Sequence, residues 1–164
     1  TTIEAAFGSR LMGRGFLLNN ELTDFSFVPA VDGKPVANAI APGKRPRSSM
    51  SPAIAFDADG KPVLAVGSAG GPTIIGATMK AIMGVVDWNL SMQEAIDLPL
   101  ALNFNGPTLL EEDRFDAAFA ASLVALGHET RFIAIPSGLH GIRRTATGWQ
   151  GGADPRRDGA AVGE

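Results

Sequence analysis

Three stretches of this sequence carry residue types and spacings that can do chemistry. The first is Asn19-Asn20-Glu21-Leu22-Thr23-Asp24-Phe25, which directly follows the apolar run Phe16-Leu17-Leu18. Two carboxylates within reach of one cation favour its charged form, so Glu21 and Asp24 can jointly hold an ammonium group. The same residues also suit a polar turn that satisfies its own backbone. The second is Lys44-Arg45-Pro46-Arg47-Ser48-Ser49-Met50-Ser51-Pro52. Adjacent serines beside basic residues can bind a carboxylate through hydroxyls and backbone N–H groups, although a solvated loop entering a strand has a similar composition. The third is Gly67-Ser68-Ala69-Gly70-Gly71-Pro72-Thr73. Glycines at a strand-to-helix junction expose consecutive N–H groups, which can bind an anion or a developing oxyanion. A plain tight turn is the alternative. The stretch lacks the Gly-Lys-Ser/Thr ending of a phosphate loop and the glycine spacing of a dinucleotide fingerprint.

Taken together, the three stretches describe a site for a zwitterionic amino acid: acceptors for its amine, donors for its carboxylate, and an oxyanion hole. A nucleophile–base pair is missing. The two histidines, His128 and His140, are far apart in sequence and read as structural or surface residues. They do not combine with other ligands into a zinc site.

Short strands and three helices must position these groups. Residues 1–7 and 15–18 are expected as strands, and residues 28–47, with four prolines, as a long loop of the kind that often binds or covers ligands. Strands are expected at 53–56 and 62–66, joined by the turn Asp57-Ala58-Asp59-Gly60-Lys61. The glycine stretch then leads into a helix over 72–86, with Ile75, Ile82, Met83 and Val86 on its apolar face. Ser91 and Glu94 fit a capping box for a short helix ending before Pro99. A third helix is expected over 114–126, with Phe115, Phe119, Ser122, Leu123 and Leu126 on one face. Glu111, Glu112 and Asp113 lie at its positive end, and Gly127 stops it. Short strands at 130–135, 141–145 and 148–151 finish the chain. Hairpin-type links suggest an antiparallel α+β layer structure rather than βαβ repeats.

The bulk numbers bound the function. A chain of 164 residues, 45% hydrophobic and 19% charged, reads as one globular domain over 1–164. The net charge of −3 and the absence of a broad basic face argue against nucleic acid. Without cysteine there is no disulfide and no thiolate chemistry. No apolar stretch is long enough to span a membrane, and no signal peptide opens the chain. Thr1-Thr2-Ile3 reads as the middle of a strand with no initiator methionine, as in a processed or truncated product.

The three motifs, in this order, together with the C-terminal Gly152-Ala153-Asp154-Pro155-Arg156, resemble the small subunit of γ-glutamyltransferases over essentially the whole chain. The resemblance implies the four-layer αββα fold of N-terminal-nucleophile hydrolases, incomplete here because the large subunit and the nucleophile strand are absent. It implies cleavage of γ-glutamyl amides such as glutathione, with transfer to water or an amino acid, and autoprocessing of a precursor. The nucleophile is an N-terminal threonine whose own amine serves as base. No cofactor is implied, and the implied partner is the large subunit of the same precursor. By resemblance a periplasmic or secreted location is expected, with a cytoplasmic one left open.

Residue by residue, Asp24 resembles the family's acceptor for the substrate α-amino group, with Glu21 and Asn20 beside it. Ser48 and Ser49 resemble the α-carboxylate binders, and Gly70 and Gly71 the oxyanion hole. Thr2 resembles the second threonine, whose hydroxyl contacts the nucleophile's amine. Glu4 stands where members carry a substrate-binding asparagine, and there is no tyrosine for a tyrosine lid. Thr1 is not the expected nucleophile, because that residue opens the preceding strand. Glu4 and the short loop from Asp24 to Ser48 motivate a second reading, an acylase for cephalosporin-like or glutaryl-type amides. A non-catalytic, truncated binding protein is a third.

Overall fold

The computed structural model describes residues 2, 3 and 8–163, and its contacts fall into two compact units, Thr1–Ser48 and Ser49–Glu164. In the first unit, β1 (Met12–Gly13) pairs antiparallel with β2 (Phe16–Leu17), and β3 (Ala30–Val31) with β4 (Lys34–Pro35). The expected long loop therefore contains one small hairpin. Of the strand expected over 1–7, the described residues Thr2 and Ile3 are irregular.

The second unit is built on a four-stranded antiparallel sheet. Its strands are β5 (Ala53–Phe56), β6 (Pro62–Gly67), β10 (His140–Thr145) and β11 (Gly148–Ala153), in the order β11-β10-β6-β5. Asp57 shapes the β5–β6 turn by accepting from the N–H groups of Asp59 and Lys61 at 3.0 and 2.8 Å. One face of the sheet is covered by α1 (Ile74–Val86) and α2 (Met92–Asp97). Leu64 and Val66 of β6 pack there with Ala77, Ala81, Met92, Ala95 and Ile96. The opposite face carries Ile54, Phe56, Ile142 and Trp149, all exposed. One helical layer on one sheet is half of an αββα sandwich.

The helices correct the expected apolar face. In α1 the buried residues are Ile74, Ala77, Thr78, Ala81 and Gly84; of the expected residues Ile82 packs half-buried against the core, whereas Ile75 and Val86 are exposed. Small side chains face inward because α1 and α2 lie close together: a Cβ on Gly84 would stand 2.8 Å from the Ala95 Cβ. The capping box of α2 is present as expected. Glu94 N–H donates to Ser91 Oγ at 3.2 Å, and Ser91 N–H donates to Glu94 Oε2 at 2.8 Å.

The remaining elements correct the expected topology. β7 (Ala101–Asn103) and β8 (Thr108–Glu111) form an additional hairpin, and β8 runs parallel to β9 (Thr130–Ile133). The connection is α3 (Ala117–Ala125), so one βαβ unit is present where only hairpin links were expected. Asp116 caps α3 by accepting from Phe119 N–H at 2.7 Å, so the helix begins later than expected. Glu111 accordingly belongs to β8 and is buried, rather than lying at the helix's positive end. No helix among the described residues is long and apolar enough to cross a membrane.

Candidate active site

In the first unit, Glu21–Asp24 is one turn of 3₁₀ helix. Side chains three residues apart eclipse in such a turn, so Glu21 and Asp24 share a face. Asn19 Oδ1 starts the turn by accepting from Glu21 N–H at 3.0 Å, and Thr23 donates its N–H and hydroxyl to Asn20 O at 2.9 and 2.7 Å. Both carboxylates meet Thr2. Thr2 N–H donates to Glu21 Oε2 and Thr2 Oγ1 donates to Asp24 Oδ2, each at 2.7 Å, while Asn20 N–H returns to Thr2 O at 3.0 Å. The structure thus brings together Thr2, Asn20, Glu21 and Asp24. Because the Thr2 hydroxyl spends its proton on Asp24, its lone pairs are left to accept from an amine.

Asn38 was not singled out from the sequence, yet it ties this turn to the serine motif. Its Nδ2 donates to Asp24 O at 2.7 Å, and its Oδ1 accepts from Arg47 N–H at 2.9 Å, next to Ser48. Lys44 Nζ braces the same loop by donating to Ala37 O and Ala39 O at 2.6 and 3.0 Å. Ser48 closes the first unit and Ser49 opens the second. Glu4 and Thr1 lie outside the described residues.

In the second unit, Gly70 and Gly71 stand between β6 and α1, with φ of 130° and 60°. Two successive positive φ values are open to glycine and strained for other residues. Among the described residues neither N–H group donates to another atom, whereas the carbonyls are engaged: Gly70 O accepts from Thr73 N–H at 3.4 Å and from Thr73 Oγ1 at 2.9 Å. Unengaged donors beside a helix N-terminus are what an oxyanion requires.

The model of the family described as Gamma-glutamyltranspeptidase matches residues 1–164. The chain belongs to this family. It is 35% identical over 170 aligned residues to a glutathione hydrolase proenzyme of Bacillus subtilis, covering 99% of this chain and 28% of that protein. It therefore spans little more than a quarter of such curated relatives. Among solved structures, a mutant gamma-glutamyltranspeptidase of Helicobacter pylori superposes with a TM-score of 0.81 at 34% identity, over 96% of this chain and 91% of that one. The gamma-glutamyltranspeptidase of Pseudomonas nitroreducens complexed with L-DON gives 0.84 at 29% identity, over 100% and 91%. The fold is the N-terminal-nucleophile hydrolase type, of which this chain is a part.

The C-terminal motif, recognised in the sequence without a role, proves to be a buried charge network. Arg156 Nε and Nη2 donate to Glu111 Oε1 and Oε2 at 2.5 and 2.7 Å, and Nη1 donates to Asp154 Oδ1 at 3.1 Å. Arg156 Nη2 and Lys80 Nζ also donate to Leu98 O, at 3.0 and 2.6 Å, at the end of α2. Burial alone would raise both carboxyls. The Arg156 guanidinium and the Leu100 N–H hold Glu111 below the usual carboxylate range, and Ser137, the Leu139 N–H and Arg156 do the same for Asp154. Burial, with the positive charge of Arg156, pushes Lys80 down to about 8.

These shifts have opposite signs for stability. Carboxyls lowered on folding contribute stability that is present above their unfolded values, about 4, and is lost as pH falls through the folded ones. Lys80 is penalised while charged, so stability rises with pH above about 8. In the complete protein, Glu111→Gln is expected to lower Tm at pH 7, and the difference from wild type is expected to shrink as pH falls below about 4. A Tm loss that stays constant down to pH 3 excludes a charge role for Glu111.

Proposed function

We infer that the complete protein cleaves γ-glutamyl amides such as glutathione and passes the acyl group to water or to an amino acid or peptide. In this reading the acyl group is carried by a threonine of a strand preceding residue 1. Its hydroxyl attacks the γ-carbonyl carbon, and its amine takes the proton. The amine donates to the lone pairs of Thr2 Oγ1, an orientation supported by the Thr2–Asp24 bond of 2.7 Å. Asp24, with Glu21 and Asn20, accepts from the substrate ammonium, and Ser48 and Ser49 donate to its α-carboxylate. The carbonyl oxygen becomes negative as the tetrahedral intermediate forms. Gly70 and Gly71 N–H then bind it more strongly than they bind the neutral ground state, which lowers the barrier. Collapse expels the leaving amine, which takes the proton held on the threonine's amine; water or an acceptor amine then attacks the ester, giving its proton to that amine, and releases the acyl group with the threonine hydroxyl restored.

The observation that carries this reading is the pair of unengaged N–H groups at Gly70 and Gly71, in a chain matched by the family over its whole length. The large subunit of the same precursor is the proposed partner. The sheet face of Ile54, Phe56, Ile142 and Trp149 supports it, because those apolar side chains are exposed.

The test is turnover of a γ-glutamyl anilide and a glutaryl anilide by the complete gene product. The glutamyl substrate is expected to be cleaved with clear preference, and residues 1–164 alone are expected to cleave neither. Preference for the glutaryl compound, which lacks the ammonium, replaces this reading with an acylase. Turnover by residues 1–164 alone that is lost on Thr1→Ala makes Thr1 the nucleophile.

A further inference from the structure

The Gly70–Gly71 turn is held by the bonds from Thr73 to Gly70 O and also from outside. Its outer side rests on residues 136–139, a strap with no regular secondary structure that links β9 to β10. Ala69 and Gly138 exchange two backbone hydrogen bonds, Ala69 N–H to Gly138 O at 3.2 Å and Gly138 N–H to Ala69 O at 3.1 Å. Thr73 Oγ1 lies between Gly70 O and Pro136 O, at 2.9 and 3.1 Å. The approach is so close that a Cβ on Gly70 would stand 2.5 Å from Pro136 O. A shift of the strap therefore moves the turn.

The strap is fixed from the other side by Asp154. Ser137 Oγ donates to Asp154 Oδ2 at 2.5 Å, Leu139 N–H donates to the same oxygen at 3.0 Å, and Asp154 N–H donates to Leu139 O at 2.9 Å. Asp154 Oδ1 is held by Arg156 N–H at 3.0 Å and by Arg156 Nη1 at 3.1 Å. Ser137 is 0% exposed and Asp154 1%, so water does not substitute for the bond between them. Ser137 supplies the one side-chain hydrogen bond between the strap and this carboxylate among the described residues.

We propose that Ser137 is a positioning residue for the oxyanion-binding turn. It locks the 136–139 strap to Asp154, so that the strap holds the Gly70 and Gly71 N–H groups at the angle the developing oxyanion needs. The inference rests on the oxyanion role given to that turn above. It separates Ser137 from the groups that bind the substrate's ammonium and carboxylate. Loosening the strap weakens binding of the transition state and leaves ground-state binding alone.

The experiment uses the complete, processed enzyme with two substitutions, Ser137→Ala and Ser137→Cys. The cysteine keeps the shape and donates weakly, so it separates packing from hydrogen bonding and replaces the alanine variant if that one fails to fold. kcat on a γ-glutamyl anilide, per active site titrated, is expected to fall about tenfold in both, with KM within about twofold. A boronic acid analogue of the γ-glutamyl group becomes a tetrahedral anion on the threonine, and its affinity is expected to fall in parallel with kcat/KM. A merely structural role would not produce that parallel. Wild-type kcat in the cysteine variant overturns the proposal. So does a loss of kcat with unchanged affinity for the boronate. A wild-type enzyme that leaves the anilide intact instead overturns the functional reading, and the two failures are told apart by that control.

Discussion

Gly71→Val in the complete enzyme is expected to lower kcat on γ-glutamyl substrates about a hundredfold or more, comparable to losing one oxyanion donor. Gly71 has φ of 60°, a region that a β-branched residue enters only with strain. The variant relieves the strain by rotating the peptide, which carries the N–H away from the oxyanion. The effect belongs on kcat because the donor is worth more to a developing negative charge than to a neutral carbonyl. Steady-state kinetics with an anilide, alongside a Tm measurement confirming that the fold is kept, checks the prediction. A folded variant with kcat within about threefold of wild type removes the turn from the mechanism.

Asp24→Asn is expected to cut kcat/KM for γ-glutamyl substrates at least tenfold, mainly through KM. A hydrogen bond to a charged group is worth about 1.5–3 kcal/mol, and the asparagine gives up the charge. Its amide oxygen can still accept from Thr2 Oγ1, which donates to Asp24 at 2.7 Å in the native chain, so the local turn is expected to survive. The loss is expected to be confined to substrates with an α-amino group, which makes the glutaryl anilide the internal control. If the glutamyl substrate loses no more than about twofold, Asp24 does not hold the amine.

Features that depend on a few consecutive residues were legible in advance. The capping box of α2 is one, because Ser91 and Glu94 meet across three residues whatever the rest of the chain does. The β5–β6 hairpin is another, since its turn residues follow each other directly. The start of α1 after the glycine stretch is a third, since glycines followed by a proline mark the end of a strand and suit the first turn of a helix, here a 3₁₀ turn over Gly71–Thr73 that leads into α1. The face that α1 buries was legible only in part, because apolar spacing puts Ile82 against the core but also brings in the exposed Ile75 and Val86. Close helix–helix contact selected Ala77, Ala81 and Gly84 instead. Glu111 was misread because an acidic run before a helix suits its dipole, while its actual partner, Arg156, is 45 residues away.

By itself, the sequence determined the family of the chain, its α+β class and the residue types offered to a zwitterionic substrate. Those properties reside in contiguous motifs whose side chains carry their chemistry wherever they are placed. Only the tertiary structure decided that Thr2 meets both Glu21 and Asp24, across 19 and 22 residues, and that its hydroxyl is oriented as an acceptor. Only the tertiary structure set Ser137 on Asp154 across 17 residues and the strap against the Gly70 turn across 63. A hydrogen bond between distant residues is satisfied by whichever donor the packing delivers to a buried acceptor. A lone serine in Pro136-Ser137-Gly138 carries no local pattern that announces it.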